Sequence, residues 1–265
     1  MRTDEYTNIF ELEDRFWWYR GIHDLIVRYV DKEATRGSLS IFDAGCGTGK
    51  LMTLLTSFGK VSGVDASLEA LRYCRQRGLA NVAIADLNEW SPAGATYRVL
   101  TCIDVLCHEM VRDVGVVLSR FHQALEPGGL LVLNLPAFES LRRQHDTVVQ
   151  TLRRYRKEEF LPLLAGRGFE VELATYRLLP LFYLIRLQKW LRPASGGSAP
   201  PRSDLHRIPR FLDALLWQMH RIENLAIFKG ARFGVGSSLF VLARKREVNL
   251  RPTDPETPPP SARRP

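Results

Sequence analysis

The sequence predicts an α/β fold, a mostly parallel β-sheet with helices on both faces, and three observations carry that expectation. From Ser38 to Arg177, short β-branched or Leu-rich runs alternate with helical stretches. The run Ile41 to Gly45 passes straight into a glycine-rich turn and then a helical pattern, the layout of the first strand, turn and helix of such a sheet. The 265 residues, 45% hydrophobic and 25% charged, have ordinary globular usage, which excludes a collagenous, coiled-coil or wholly disordered chain. At ~150 residues per domain this is one large domain, or one domain with an appendage.

In chain order, apolar residues at Ile9, Phe10, Phe16, Trp17, Ile22, Ile26 and Val27 recur at helical spacing, so residues 1–36 form an N-terminal segment of one or two helices. The core, 37–177, contains the strands LSIFDAG (39–45), VSGVDAS (61–67), ANVAIAD (80–86), RVLTCID (98–104), GLLVLNL (129–135) and FEVELATY (169–176). Leu51, Leu54, Leu55 and Phe58 share a helical face that Gly59 is placed to stop. Residues 178–247 form a helical excursion with a last strand. LLPLFYLIRLQKWL (178–191) is apolar with basic punctuation, PASGGSAPP (193–201) reads as a moving loop, Phe211 to Ile222 as an amphipathic helix, and SSLFVLARK (237–245) as the strand. The Pro-rich, charged stretch 248–265 reads as a disordered tail. No internal repeat is present.

A net charge of +8 and a pI near 9.5 allow anionic partners without requiring them. Cys46, Cys74, Cys102 and Cys107 form no CxxC and no zinc spacing, so no metal is expected and a reducing cytosol fits. The N-terminus lacks the pattern of a secretory signal. The longest apolar run, Leu178 to Ile185, falls far short of the about 20 residues of a membrane span. A cytoplasmic location is the expectation.

The chemistry concentrates at IFDAGCGTG (41–49), where an apolar strand ends in Asp43 and enters a loop with Gly45, Gly47 and Gly49. Closely spaced glycines let backbone pass against a ligand, and a helix starting near Lys50 points its amides at it. Asp65 ends the next strand, 20 residues beyond Gly45, where an acid accepts from ribose hydroxyls. The Gly-x-Gly-x-Gly spacing departs from the Gly-x-Gly-x-x-Gly of pyrophosphate binders. Asp43 would repel a pyrophosphate but suits a nucleoside carrying an ammonium and a sulfonium group. The ligand inferred is S-adenosylmethionine.

The chain resembles the class I S-adenosylmethionine-dependent methyltransferases over most of Phe42 to Phe169, at DAGCGTG (43–49), VDAS (64–67), IADL (84–87), TCIDVLCHEM (101–110) and LEPGGLLVLNLP (125–136), in that family's order. The resemblance implies a Rossmann-like seven-stranded, mostly parallel sheet with an antiparallel final strand, SSLFVLARK. It implies that Gly45, Cys46, Gly47, Thr48 and Gly49 approach the methionine moiety, that Asp65, followed by Ala66, meets the ribose, that Asp86 and Leu87 border the adenine, and that Asp104 sits near the methyl donor. Plainer roles stay open: Asp43 as a turn cap, Asp86 as a helix cap, Asp104 as the end of a buried strand. His108, after the fourth strand, either faces the substrate or is a polar loop residue.

On the substrate side, residues 136–160 gather Arg142, Arg143, Arg153, Arg154, Arg156 and Lys157 around His145, Asp146 and Tyr155, as an anion site or a solvated helix face. The stretch resembles a signature of bacterial methyltransferases associated with glycan or lipid-linked assembly, His-Asp followed by a second His and Arg-Arg-Tyr, with Thr151 in the second His position. His145, oriented by Asp146, would take a proton from an acceptor hydroxyl; alternatively the pair is a local cap. FWWYR (16–20) resembles a helix that the same relatives lay over the cofactor, with Trp18 or Tyr19 packing on it and Arg20 meeting its carboxylate; core packing is the competing role. The segment 178–192 combines Phe182, Tyr183 and Trp190 with Arg186, Lys189 and Arg192, which suits either peripheral membrane contact or an acceptor-pocket wall.

These readings predict an S-adenosylmethionine-dependent methyltransferase that releases S-adenosylhomocysteine and acts on a small-molecule, sugar or lipid-linked acceptor. Oxygen is favoured, because Asp104-Val105-Leu106 stands where amino-methylating relatives carry an Asn-Pro-Pro-Tyr type sequence. No nucleic-acid module is evident, no specific nucleic-acid partner is expected, and the oligomeric state is open. The competing classes are a catalytically inactive S-adenosylmethionine- or RNA-binding protein and a nicotinamide-dependent dehydrogenase, the latter opposed by the glycine spacing and Asp43.

Overall fold

Side chains alternating along the strands sort the core into two layers. In β1 (Leu39–Ala44), Leu39 and Ile41 face one side and Phe42 and Ala44 the other; in β5 (Leu125–Pro136), Leu130 and Val132 oppose Leu131, Leu133 and Leu135. The first layer is covered by α2 (Trp17–Ala34), α3 (Lys50–Leu55) and the end of α9 (Arg210–Phe228), through Ile22, Leu25, Ile26, Met52, Leu55 and Ile227. The second is covered by α5 (Val114–Ala124) and α7 (Lys157–Ala165), through Val117, Phe121, Phe160 and Leu164. Burial on both faces is why these strands read as nearly continuous apolar runs.

The computed structural model describes residues 3–35, 37–191 and 208–247. Arg192, the loop expected at 193–201 and the tail expected from 248 lie outside the described residues. The remaining elements are α1 (Thr3–Leu12), β2 (Gly59–Asp65), α4 (Leu68–Gln76), β3 (Val82–Ile84), β4 (Tyr97–Ile103), α6 (Gln144–Val148), β6 (Phe169–Arg177), α8 (Leu179–Leu191) and β7 (Ser238–Lys245). The strand order is β3-β2-β1-β4-β5-β7-β6, with β7 antiparallel to both neighbours and the other pairs parallel, as expected. The chain reverses its direction of travel across the sheet between β1 and β4, and that switch opens a crevice beyond the carboxyl ends of the strands.

The N-terminal segment is two helices, broken at 13–16. Helix α2 is capped across the sequence: Trp17 N donates to Asp213 Oδ1 of α9 at 2.9 Å, satisfying an amide that has no partner within its own helix. Gly59 ends the α3 region as the first residue of β2, where an added Cβ would lie 2.0 Å from the Leu39 carbonyl oxygen. At the far end of α2, buried Glu33 receives Arg98 of β4 at 3.0 Å and Arg244 of β7, tying helix to sheet. Burial opposes the charge of Glu33, but the two guanidiniums outweigh it and hold its carboxyl below the usual carboxylate range.

A carboxyl held low stabilises the fold above its unfolded pKa of about 4.3, and that support disappears as pH falls through the lower folded value. Glu33→Ala is expected to cost about 2–3 kcal/mol in urea denaturation at pH 7. The gap between variant and parent should narrow in acid.

Candidate active site

The carboxyl ends of β1, β2 and β4 and the loop after β3 open into a cavity of about 760 Å³. Its floor is the turn after β1. Gly45 sits at φ +81°, and a Cβ there would lie 2.3 Å from Val105 Cγ2, so both the backbone and its neighbour require glycine. Gly45 N and Cys46 N donate to the Val64 carbonyl at 2.8 and 2.9 Å, fixing the turn to β2. Asp65 completes the frame, with Oδ2 accepting from Gly47 N (2.9 Å) and Oδ1 from Ser67 N (2.9 Å) and Tyr6 Oη (3.3 Å). Thr48 donates to Glu13, which also takes Arg77 Nη2 at 2.7 Å, so the segment between α1 and α2 is anchored on the turn.

Gly45, Cys46, Gly47 and Thr48 line the cavity, whereas Gly49 stands behind it, where a Cβ would press on Leu79 and Cys74. Asp65, Ala66, Asp86 and Leu87 continue the wall. Asp86 lines the cavity and caps its own loop as well, its Oδ1 taking Asn88 N at 2.9 Å and Asn88 Nδ2 at 2.6 Å.

Three carboxylates dominate the electrostatics. Asp43 is buried, accepts from Thr101 Oγ1 at 2.6 Å, and is pushed up to about 7 by burial, with the negative charge of Asp65 adding to the rise. Asp104, half-buried at φ +55°, is also raised to about 7 by loss of solvation, against the pull of Asn134, Arg177 and Arg154. Asp65 is raised for the same reason, its backbone donors opposing. Among the described residues, no ion pair reaches any of the three. Carboxylates withdrawn from water without an ion pair favour a cationic ligand.

Asp104 is aimed by a polar chain that the sequence did not disclose. Asn134 Nδ2 donates to both its oxygens at 3.0 and 3.1 Å, and Asn134 Oδ1 accepts from Arg177 Nη1 at 3.3 Å. Arg177 is fully buried at the end of β6, and its Nη2 meets His220 Nε2 at 2.9 Å and Asn224 Oδ1 at 3.4 Å. Asn224 Nδ2 in turn donates to Gly21 O at 2.8 Å. The four side chains come from three elements distant in sequence, and no local spacing links them.

Phe16, Trp17, Trp18 and Tyr19 line the cavity, but Arg20 does not. The structure turns Arg20 toward α9, 3.8 Å from Asp213 Oδ2 and 4.3 Å from the centre of the Trp217 ring. His108, His145, Asp146, Thr151, Arg143 and Arg154 form another part of the wall. His108 forms a bridge with Thr151, and partial burial lowers its pKa below the usual imidazole value. Asp146 serves as the local cap that was one of its two expected roles, accepting from Arg143 N at 2.7 Å, and it also takes Arg154 Nε (2.8 Å) and Nη2 (2.9 Å), a partner the sequence did not suggest. Burial works against its charge, and Arg154 overcomes this to hold it below the usual carboxylate range. Arg142 is likewise engaged, by Glu139 and by the Thr151 and Leu152 carbonyls. Leu181 and Ile185 of α8 and Leu212 and Leu216 of α9 supply apolar wall. Among the described residues, no His, Cys, Asp or Glu group is arranged to hold a metal.

Residues 41–129 match the family model of a methyltransferase domain. Over 124 residues the chain is 30% identical to the malonyl-acyl-carrier-protein O-methyltransferase of Yersinia pestis, covering 46% of each protein. Over 147 residues it is 26% identical to the ubiquinone biosynthesis O-methyltransferase of Chromobacterium violaceum, covering 46% of this chain and 62% of that one. The match thus spans about half the length of these curated relatives. Among solved structures, the plantazolicin methyltransferase BpumL superposes with a TM-score of 0.58 at 13% identity, over 92% of this chain and 91% of that one. The magnesium protoporphyrin IX methyltransferase of Synechocystis, with bound S-adenosylmethionine, gives 0.52 at 16% identity, over 86% and 79%. The fold is that of the class I S-adenosylmethionine-dependent methyltransferases.

A carboxyl raised by burial costs stability progressively as pH climbs from its unfolded value of about 4 to its folded one. Asp43→Asn removes that cost and keeps an oxygen for Thr101. In urea denaturation of the ligand-free protein, the advantage of the variant over the parent should widen by about 2 kcal/mol from pH 5 to pH 8.

Proposed function

We propose that the chain transfers the methyl group of S-adenosylmethionine to a hydroxyl of a small-molecule, sugar or lipid-linked acceptor, leaving S-adenosylhomocysteine. The observation that carries this reading is the trio Asp43, Asp65 and Asp104, withdrawn from water around a glycine turn with no ion pair among the described residues. Their charge suits an ammonium and a sulfonium and repels the pyrophosphate of a dinucleotide. Asp65 keeps lone pairs for ribose hydroxyls beyond those its amide donors use. Leu87 and Val111 give a purine an apolar surface. When bound, this cofactor supplies a methyl group on a positively charged sulfur, ready for attack by an oxygen.

The protein's share is placement, exclusion of water and custody of one proton. The four aromatics at 16–19 line the cavity and supply apolar surface that excludes water. His108, whose pKa partial burial lowers, is the base to which this reading assigns the acceptor hydroxyl's proton, and His145 is the second candidate on the same wall. Two of the relatives are O-methyltransferases by description, which supports oxygen. The commitment of Arg142 to Glu139 and of Arg154 to Asp146 supports a compact acceptor over an RNA backbone gripped by free guanidiniums.

Titration calorimetry tests the cofactor. A cation binds the ionised form of Asp43 and Asp104, so affinity for S-adenosylmethionine should rise from pH 6 to pH 8, and by less for S-adenosylhomocysteine, which lacks the sulfonium. Asp65→Ala should weaken both about tenfold or more. No heat with either compound, or an unchanged affinity in that variant, overturns the reading. Incubation with methyl-labelled cofactor and fractionated cell extract then assigns the acceptor class. On that acceptor, His108→Gln should lower kcat about 100-fold with cofactor affinity intact, and the same loss in His145→Gln alone would move the base to His145.

A further inference from the structure

Helices α8 and α9 each have an apolar face that no part of the described protein covers. On α8 it consists of Tyr183, Leu184, Leu187, Trp190 and Leu191, with Trp190 78% exposed. On α9 it consists of Phe211, Leu215, Met219, Ile222 and Leu225, with Phe211 76% exposed. Steps of three and four residues keep each set on one stripe, and the α9 stripe runs about 20 Å at 1.5 Å per residue. These two helices hold ten of the 15 exposed large apolar side chains among the described residues, so exposed apolar surface is concentrated on them and not scattered.

The exposed charges that the two helices themselves carry have one sign. Helix α8 has no acidic residue and exposes Arg186 and Lys189. Helix α9 exposes Arg210 and Arg221, while its acids are occupied inward, Asp213 on Trp17 N and Glu223 on Leu178 N and Leu179 N. Apolar stripes with Trp and Tyr in them, on helices whose own exposed charges are cations, are complementary to an interface of acyl chains beneath anionic headgroups. No described helix is long and apolar enough to cross a membrane, so the fitting geometry is one lying in the interface.

We infer that the outer faces of α8 and α9 seat this protein on an anionic lipid bilayer. The inner faces of the same helices, through Leu181, Ile185, Leu212 and Leu216, wall the cavity. On the methyl-transfer reading, an acceptor with an apolar tail would therefore pass from bilayer to cavity along apolar surface. Bilayer binding itself needs no cofactor or turnover, so its failure and the failure of that reading are separate results.

The test is flotation of the full chain with phosphatidylcholine vesicles containing or lacking phosphatidylglycerol, at low salt. The chain should float with the anionic vesicles and far less with the neutral ones. The paired exchange Trp190→Ser with Phe211→Ser should reduce flotation about tenfold or more, with far-UV circular dichroism and cofactor affinity unchanged. The paired exchange Arg186→Glu with Lys189→Glu should abolish the preference for anionic vesicles, each lost cation being worth about fivefold in partition. A chain that stays with the unbound fraction overturns the inference, as does flotation that neither pair alters. So does a parent dimer that the Ser pair dissociates, since a second copy would then cover the stripes.

Discussion

Three carboxylates withdrawn from water, with no ion pair to any of them among the described residues, are the constraint around which this structure is arranged. Leaving Asp43, Asp65 and Asp104 in that state opposes folding, and the scaffold tolerates it by giving each a directed donor, with only the more distant pull of Arg177 and Arg154 on Asp104 besides. Thr101 serves Asp43 from the neighbouring strand, the turn amides of Gly47 and Ser67 serve Asp65, and the Asn134 amide serves Asp104. Dipoles of this kind hold a carboxylate in place without neutralising it. The attraction for a cation is preserved, where a lysine at the same distance would have cancelled it.

The positions of these donors follow from topology. Because β1 lies between β2 and β4, the acids that end those three strands converge on one crevice, and the reversal in strand order leaves it open for a ligand. Asp104 is held more elaborately, through Asn134 and Arg177 to His220 and Asn224 of α9 and onward to Gly21 of α2. The helices bordering the cavity and the acid inside it are therefore parts of one hydrogen-bonded unit. A shift of α2 or α9 would be felt at the Asp104 carboxylate without any direct contact.

The fold was legible because its determinants are local. The strand runs, the three glycines and the acid at a strand end are contiguous patterns, and even the antiparallel β7 could be placed by its position after FEVELATY. The location of Asp43, Asp65, Asp86 and Asp104 on the cavity was legible for the same reason, each being tied to a strand terminus. Side-chain direction was not. Arg20 turns outward because Asp213 and Trp217, nearly two hundred residues away, make a site for it, and Asp146 faces Arg154 because the chain folds back after α6. Neither partnership has a periodicity. Asn134 was hidden differently: in a strand buried on both faces, one polar residue in an apolar run gives no sign of what it touches.

Helices α8 and α9 show the same limit from the other side. Both are apolar over more of their circumference than one buried face needs, and pattern alone cannot separate a membrane-facing stripe from a pocket wall. Folding divides the two stripes: one set of residues enters the cavity wall and the other stays in solvent. A monomeric protein gains nothing in stability from an exposed Trp190 or Phe211, and both add to the hazard of aggregation. Large apolar side chains kept at such positions, with the acids of the same helices turned inward, have a physical rationale when a second apolar phase receives them. The opposite faces of those helices wall the cavity, so on the proposed bilayer seating one pair of helices would border both the lipid and the site.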